Sequence, residues 1–337
     1  MIAIRALLLT LTCVLLTACG GDGGDGGDGA NPSGPDAGVP SDSDTNGTGS
    51  GDAGGDGPSG PADNLIELVS DLTTPRDLIF GPPGSGLDDE LFVVSFLGAE
   101  ATWVRNFGQS TQTLQPFQGS LVGAIAVDMD GEGRFYFACM TPVMGSFVGV
   151  VTVRGIDDSV FDFQYRGLGE PTGVALDGQG GLFVFNRSTS SVVRLDLSDG
   201  AGADNHTVTT IAEGLQVTDE VLPNHLLVDE AGRLLICETG AGRLLVYEDG
   251  EVSALAGPDQ GLDRPVSLTQ LGSGHYLVAN NGNGHLVELD TEGIRVSTID
   301  TGLGSGRLQS VATNADGDIY IVDDTDGVGS VYLVETP

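Results

Sequence analysis

The chain contains no lysine. Its 13 basic residues are all arginine and face 48 aspartates and glutamates, giving a formal net charge of −35. Such a field repels phosphate backbones and excludes nucleic acid as a partner. It also excludes a basic membrane-binding patch, so any attachment to a membrane falls to a lipid. Histidine is scarce: His206, His225, His275 and His285 are the full supply, which argues against a two- or three-histidine zinc or iron centre. No C-x-x-C pair, G-x-S-x-G elbow or G-x-x-x-x-G-K-S/T loop is present. The run Gly302-Leu303-Gly304-Ser305-Gly306-Arg307 lacks the lysine and the strand–loop–helix context of a phosphate site and reads as a plain loop. Cys139 and Cys237 fall in nonadjacent repeat units, so they are expected as separate, partly buried thiols.

Long apolar runs are confined to the beginning. Residues 1–18 carry one charge, Arg5, and then the apolar stretch Ala6 to Leu16, which is a secretory h-region too short to span a bilayer as a mature helix. It ends in Leu16-Thr17-Ala18-Cys19, a pattern that resembles the bacterial lipobox. The resemblance implies a diacylglycerol thioether on Cys19 and an exported, membrane-anchored protein. Gly20 rather than Asp follows the cysteine, which leans toward the outer membrane. Residues 19–62 are then the lipidated cysteine and a Gly/Asp-rich tether. That tether has no aromatic or basic residue, so burial cannot offset the entropy of ordering it.

What the rest of the chain has in abundance is one repeated phrase. A short apolar strand ends near an acidic or polar residue, a glycine-containing turn follows, and a second apolar strand closes on a polar residue. Clear copies are Pro171 to Asn186 (PTGVALDGQGGLFVFN), Asn224 to Glu238 (NHLLVDEAGRLLICE) and Gln309 to Asp323 (QSVATNADGDIYIVD). Six copies recur at a spacing of roughly 40 to 50 residues with period-2 alternation, which fits propeller blades. The last unit stops one strand short, while Asn64 to Val69 is a strand that precedes the first copy. The sequence therefore predicts residues 63–337 as one all-β domain: a six-bladed β-propeller of four-stranded antiparallel blades, closed by its own N-terminal strand.

The form P-x-G-V-A-x-D-x-x-G-x-(L/I)-x-V-x-(D/N), best kept at Pro171–Asn186 and Gln309–Asp323, resembles the NHL-repeat and regucalcin/gluconolactonase-like six-bladed propellers. Those families include calcium-dependent lactonases and esterases, lyases, and binding modules, so the likeness speaks for architecture more than for activity. The lactonases use a first-blade glutamate with later Asn and Asp metal ligands. Here the first blade offers Arg76, Asp77 and Ser95 instead, and Glu67 belongs to an outer strand.

Aligning the units gives a column at the ends of the second strands: Ser95, Cys139, Asn186, Glu238, Asn280 and Asp323. Oxygen ligands converging there could hold Ca2+, with Glu238 and Asp323 supplying charge and Asn186 and Asn280 neutral oxygens. His225 and Glu238 are the candidates for proton handling, and Asp219 and Glu220 lie in the loop that leads to His225. The plainer account is that polar residues terminate strands by bonding their own backbone. Two irregular stretches, Thr141–Gly149 and Gln216–Pro223, are expected on the same face, with Phe96, Trp103 and Met144 able to line a recess; Trp103 suits interblade core better.

The favoured function is a lipid-anchored binding or scaffold propeller without catalytic activity. It would act as a monomer and recognise a protein, peptide or small ligand on the channel-mouth face. The alternative is a calcium-dependent lactonase or esterase. No cofactor is expected apart from Ca2+ under that alternative.

Overall fold

The computed structural model describes residues 63–335 except 83, 89, 98–100, 111, 117–120, 122, 144–145, 156–162 and 198–206. The predicted signal peptide, Cys19, the tether, Met144 and His206 lie outside the described residues. Among the described residues, twenty-four strands form six four-stranded antiparallel sheets. Strand β1 (Leu65–Thr73) stands apart at the start. Blade 1 is β2 (Pro75–Phe80), β3 (Leu91–Ser95), β4 (Ala101–Arg105) and β5 (Thr113–Pro116). Blade 2 is β6 (Ala124–Met129), β7 (Arg134–Val143), β8 (Ser146–Gly155) and β9 (Phe163–Leu168). Blade 3 is β10 (Pro171–Leu176), β11 (Gly181–Asn186), β12 (Ser191–Asp196) and β13 (Val208–Glu213). Blade 4 is β14 (Leu226–Val228), β15 (Leu234–Glu238), β16 (Arg243–Glu248) and β17 (Glu251–Ala256). Blade 5 is β18 (Pro265–Gln270), β19 (Tyr276–Asn280), β20 (His285–Leu289) and β21 (Arg295–Asp300). Blade 6 takes β22 (Leu308–Thr313), β23 (Ile319–Asp323) and β24 (Val328–Val334) from the end of the chain and β1 from its beginning.

The ring closes where the sequence predicts. β1 pairs antiparallel with β24, from Leu65↔Val334 to Thr73↔Val328. It runs four residues beyond the predicted Val69, because two register shifts bend it and carry it past Leu72, which is buried. Thr74 then hands the chain from the rim of blade 6 to the centre of blade 1. Its N–H donates to Gly327 O at 2.9 Å, and its Oγ1 accepts the Leu97 N–H at 2.7 Å. The innermost strands β2, β6, β10, β14, β18 and β22 each touch the next, and β22 touches β2 again.

Both faces of every blade are apolar because each packs on a neighbour, so the alternation seen along the strands gives two core faces rather than one core and one solvent face. Six buried clusters result, one per blade interface. Between blades 1 and 2, Phe92 meets Phe135 edge-on with centroids 4.7 Å apart. At the seam between blades 6 and 1, Phe80 and Phe107 pack on Tyr320 at 5.0 and 5.2 Å. Each such aromatic pair contributes about 0.5–1.5 kcal/mol beyond its buried area.

The acidic residue in the repeated phrase has a local task. Asp177 Oδ1 accepts the N–H groups of Gln179 and Gly181, both at 2.7 Å. Asp130 and Asp229 do the same two and four residues on, at 2.8–3.0 Å. The glycine that follows (Gly133, Gly180 or Gly232) takes a positive φ of 78–89°, which costs a glycine nothing. The second carboxylate oxygen binds an arginine: Arg134 at 2.6 Å, Arg233 at 2.9 Å, and Arg194. Much of the acid of the turns is therefore structural.

One expectation is corrected. Thr141–Gly149 is not an irregular connection; β7 and β8 pair through Met140↔Gly149 to Val143↔Ser146 as a long hairpin. The apolar, β-branched and aromatic residues of this stretch favour continued strand pairing over a loop.

Candidate ligand site in the central channel

The channel has two mouths, set by chain direction. One is formed where inner strands begin and second strands end; the predicted column lies there. The other is formed by the turns that join inner to second strands.

At the column mouth the predicted level is real. Ser95 pairs with Pro75, Cys139 with Ala124, Asn186 with Pro171, Asn280 with Pro265 and Asp323 with Leu308, while Glu238 ends β15. All six are buried. Glu238, Asn280 and Asp323 are committed to holding neighbouring backbone and side chains. Glu238 Oε1 accepts the Gln216 N–H at 2.8 Å, and Oε2 binds Arg243 Nε at 2.8 Å and its terminal nitrogen at 2.5 Å. Asp323 binds Arg307 at 2.5 Å, the Thr325 hydroxyl at 3.1 Å and the Ser330 N–H at 2.8 Å. Asn280 accepts the Asp263 N–H at 3.1 Å and donates to Gly261 O at 2.9 Å. Asn186 Oδ1 is buried without a partner. Further arginines complete the collar: Arg76 on Asp324 at 2.5 Å, Arg187 on Glu170 at 2.6 Å, and Arg264 on Glu220. Arg187 also donates to the carbonyls of Thr218 and Asp219 at 2.9 Å, so the Gln216–Pro223 loop is stapled from both sides.

This donor set does not fit a calcium ion. A hard cation needs several free oxygens at one point, and here both carboxylates are neutralised by guanidinium groups. Among the described residues no group of three or more His, Cys, Asp or Glu side chains is gathered as for a metal ion.

Below the column lies a belt formed by the third residue of each inner strand or its equivalent: Asp77, Ala126, Gly173, His225, Ser267 and Ser310. Asp77 accepts the Ser310 hydroxyl at 2.7 Å and the N–H groups of Leu78 and Val127 at 2.9 and 3.1 Å. Ser310 and Ser267 are hydrogen-bonded at 3.0 Å. His225 Nδ1 accepts the Leu268 N–H at 3.4 Å. These bonds run from blade to blade and lock the inner ring. Gly173 must be glycine because a Cβ would stand 2.0 Å from Asn224 O. Burial raises the Asp77 carboxyl and lowers the His225 imidazole, with the Asp77 charge opposing the latter shift. His225 is thus a neutral acceptor at pH 7. His225 and Glu238 are bonded to different groups: His225 Nδ1 to the Leu268 N–H, and Glu238 to the Gln216 N–H and Arg243.

Two residues further along each inner strand comes a third level: Ile79, Asp128, Ala175, Leu227, Thr269 and Ala312. All six line a cavity of about 970 Å³ that starts at His225 and opens at the turn mouth. Its wall mixes aliphatic residues such as Ile79, Leu176, Leu227 and Val228 with polar ones such as Thr269, Thr313 and Asn314. Asp88, Asp130, Glu132 and Arg134 stand around it. Arg134 is already engaged by Asp130 at 2.6 Å and Glu132 at 3.3 Å. Asp128 accepts the Met129 N–H at 2.8 Å and the Leu176 N–H of the next blade at 2.7 Å. Burial pushes its carboxyl up to about 6, with the Asp77 and Asp130 charges adding to the shift and the two N–H bonds resisting it.

The remaining predicted residues are placed elsewhere. Trp103 lies on β4, stacked on Phe92 at 5.5 Å and donating to Glu90 at 3.0 Å, so it belongs to the blade 1–2 core and not to a recess. Phe96 does not line the cavity. His275 bonds Glu288 at 2.8 Å, and His285 lies 3.7 Å from Asp300 on the neighbouring strand. Cys139 and Cys237 are buried free thiols. Burial pushes the Cys139 thiol up to about 12 and raises Cys237 as well, so neither is a nucleophile at neutral pH.

No family model matches the chain, and no curated protein matches it. Solved structures do. The soluble aldose sugar dehydrogenase of Escherichia coli is 16% identical with a TM-score of 0.56, covering 81% of this chain and 99% of that one. A gluconolactonase-like protein is 14% identical with a TM-score of 0.54, covering 82% and 94%. An inactive histidine variant of virginiamycin B lyase from Staphylococcus aureus, bound to quinupristin, is 11% identical with a TM-score of 0.52, covering 80% and 88%. The neighbours carry three different chemistries on one six-bladed scaffold. At such identities the likeness establishes the fold and leaves the chemistry to the site.

Proposed function

We propose that this chain is a non-catalytic, ligand-binding propeller, exported and held at the outer membrane by a lipid on Cys19, with residues 20–62 as the tether that gives it reach. It takes a small molecule in the channel recess at the turn mouth. One observation carries this reading: both carboxylates of the column, Glu238 and Asp323, are spent on structural bonds, whereas a preformed cavity of about 970 Å³ with aliphatic and acidic walls opens at the other mouth. That volume is at the upper end of the range used for small-molecule sites. A rigid ring supplies such a cavity without an ordering cost at the moment of binding.

Calcium-dependent hydrolysis is the rival. It requires a cation to polarise a carbonyl and stabilise an oxyanion. Glu238 and Asp323 would have to release Arg243 and Arg307 to hold it. Screening of a small-molecule library by thermal shift, on the wild type and on Thr269→Phe, tests the proposal. Hits that stabilise the wild type and fail on the variant, which narrows the recess at the level of Asp128, are the expected outcome. Hits unaffected by the variant, or a lactonase activity that depends on calcium and on Glu238, would overturn it.

A further inference from the structure

Resting on the reading of the recess as the binding site, we infer that its ligand is a small cation with an apolar body, an ammonium compound whose charge is countered by Asp128. Three observations converge on this class. First, Asp128 is the only carboxylate on its ring: its equivalents are Ile79, Ala175, Leu227, Thr269 and Ala312, all lining the same cavity. An apolar body therefore finds an apolar wall at the depth where the single charge stands.

Second, Asp128 is under-satisfied. A carboxylate has about four acceptor sites, and Asp128 uses two, on the Met129 and Leu176 N–H groups. Its counterpart in the belt above, Asp77, is fully buried and has a hydroxyl donor in addition to two N–H groups. Asp128 is only half-buried, with its remaining capacity beside the cavity. Among the described residues no guanidinium is paired with it, and Arg134, the arginine at the recess, is held by Asp130 and Glu132.

Third, the surroundings select for charge. Asp88, Asp128, Asp130 and Glu132 stand at the recess against Arg134 alone, and His225 at its floor is held neutral by burial. In a chain of net charge −35, the field draws cations to this mouth and keeps anions out. A charge-assisted bond to a partly desolvated carboxylate is roughly twice as strong as a neutral one, which corresponds to about a tenfold preference.

The test uses three probes of one shape: 4-phenylbutylammonium, 4-phenylbutanol and 4-phenylbutyrate, titrated calorimetrically into the protein at pH 7.5. The ammonium is expected to bind about tenfold tighter than the alcohol, with the carboxylate weakest. Asp128→Asn should bring ammonium and alcohol to parity, and Thr269→Phe should abolish both. If the alcohol binds the wild type as tightly as the ammonium, the charge assignment is wrong while the recess stands. If none of the three binds, the recess is not the site and both readings fall. The ranking on the wild type decides the matter even if Asp128→Asn fails to fold.

Discussion

The two mouths of one channel are built from the same repeated phrase and end up chemically opposite. At the column mouth Arg76, Arg187, Arg243, Arg264 and Arg307 each meet a carboxylate, and Glu238 and Asp323 also cap backbone N–H groups. At the turn mouth the turn acids are satisfied locally, yet Asp128 lines a cavity and has no ion-pair partner among the described residues. The lesson concerns how acid is read in an acidic protein. A row of polar strand ends looks like a ligand set until its partners are known. The informative carboxylate is the one whose partners are missing.

The largest effect expected from this contrast is at the column mouth. Glu238→Ala should cost about 2–3 kcal/mol by chemical denaturation, because it strands the Gln216 N–H and the Arg243 guanidinium; the figure is kept below that of a fully buried pair because Arg243 is 41% exposed. A neutral result there would mean that the collar is ornamental and its carboxylates are available to a ligand.

Next in size is a pH effect at the turn mouth. The folded-state value of Asp128, about 6, lies above its unfolded value of 3.8. Folding thus favours its protonated form, and stability is lost as pH rises through that window. Asp77 and Asp130 push in the same direction, Arg134 is tied to Asp130, and His225 is neutral. Asp128→Asn does not titrate, so its stability relative to wild type should improve by about 2 kcal/mol between pH 4.5 and pH 7.5. Asp177 and Asp229 do not confuse the measurement. Burial works against their ionisation, but N–H donors and Arg194 or, for Asp229, Tyr276 and Arg233 outweigh it and hold both below 3.8. Their contribution is lost only as pH falls further. A flat difference across the range would place Asp128 in water rather than in the recess wall.

Smaller still, Thr269→Phe should change stability by about 1 kcal/mol, since it projects into open space and loses only the long 3.4 Å contact of its hydroxyl with Thr313. Its circular dichroism and melting point should remain close to wild type while recess binding disappears. The smallest expected effect is none: excess chelator should leave the melting temperature where it was. A drop on chelation, restored by calcium, would revive the metal reading of Asn186, Glu238, Asn280 and Asp323.

Much of the fold was legible because propeller physics is local and repetitive. The Asp-x-x-Gly turns and the apolar alternation recur in register, and Leu65–Val69 had no partner except the unfinished last blade. The column was legible as a level but not as chemistry. Arg187, Arg264 and Arg307 enter from connections between strands and Arg76 reaches Asp324 from another blade, so their partners depend on the closed ring; Arg243 alone faces its partner Glu238 across a hairpin, β15 to β16. The recess had a signal that went unread. Aligning copies two places beyond Asp77 sets Asp128 against Ile79, Ala175, Leu227, Thr269 and Ala312, one acid among five uncharged residues. In linear sequence it hides in Asp128-Met129-Asp130-Gly131-Glu132, which reads as a hairpin turn. Asp128 and Asp130 both stand at the recess, but Asp128 lies on β6 and bonds the next blade, whereas Asp130 lies just past the strand and builds the turn.

The central claim is that ligand binding belongs to the turn mouth. A crystal structure of the protein grown with 4-phenylbutylammonium and calcium together tests it most directly. The account predicts the phenyl group within the recess and the ammonium nitrogen about 3 Å from an Asp128 carboxylate oxygen, with Glu238 and Asp323 still on Arg243 and Arg307. An empty recess with a calcium ion held by Glu238 and Asp323 would contradict it.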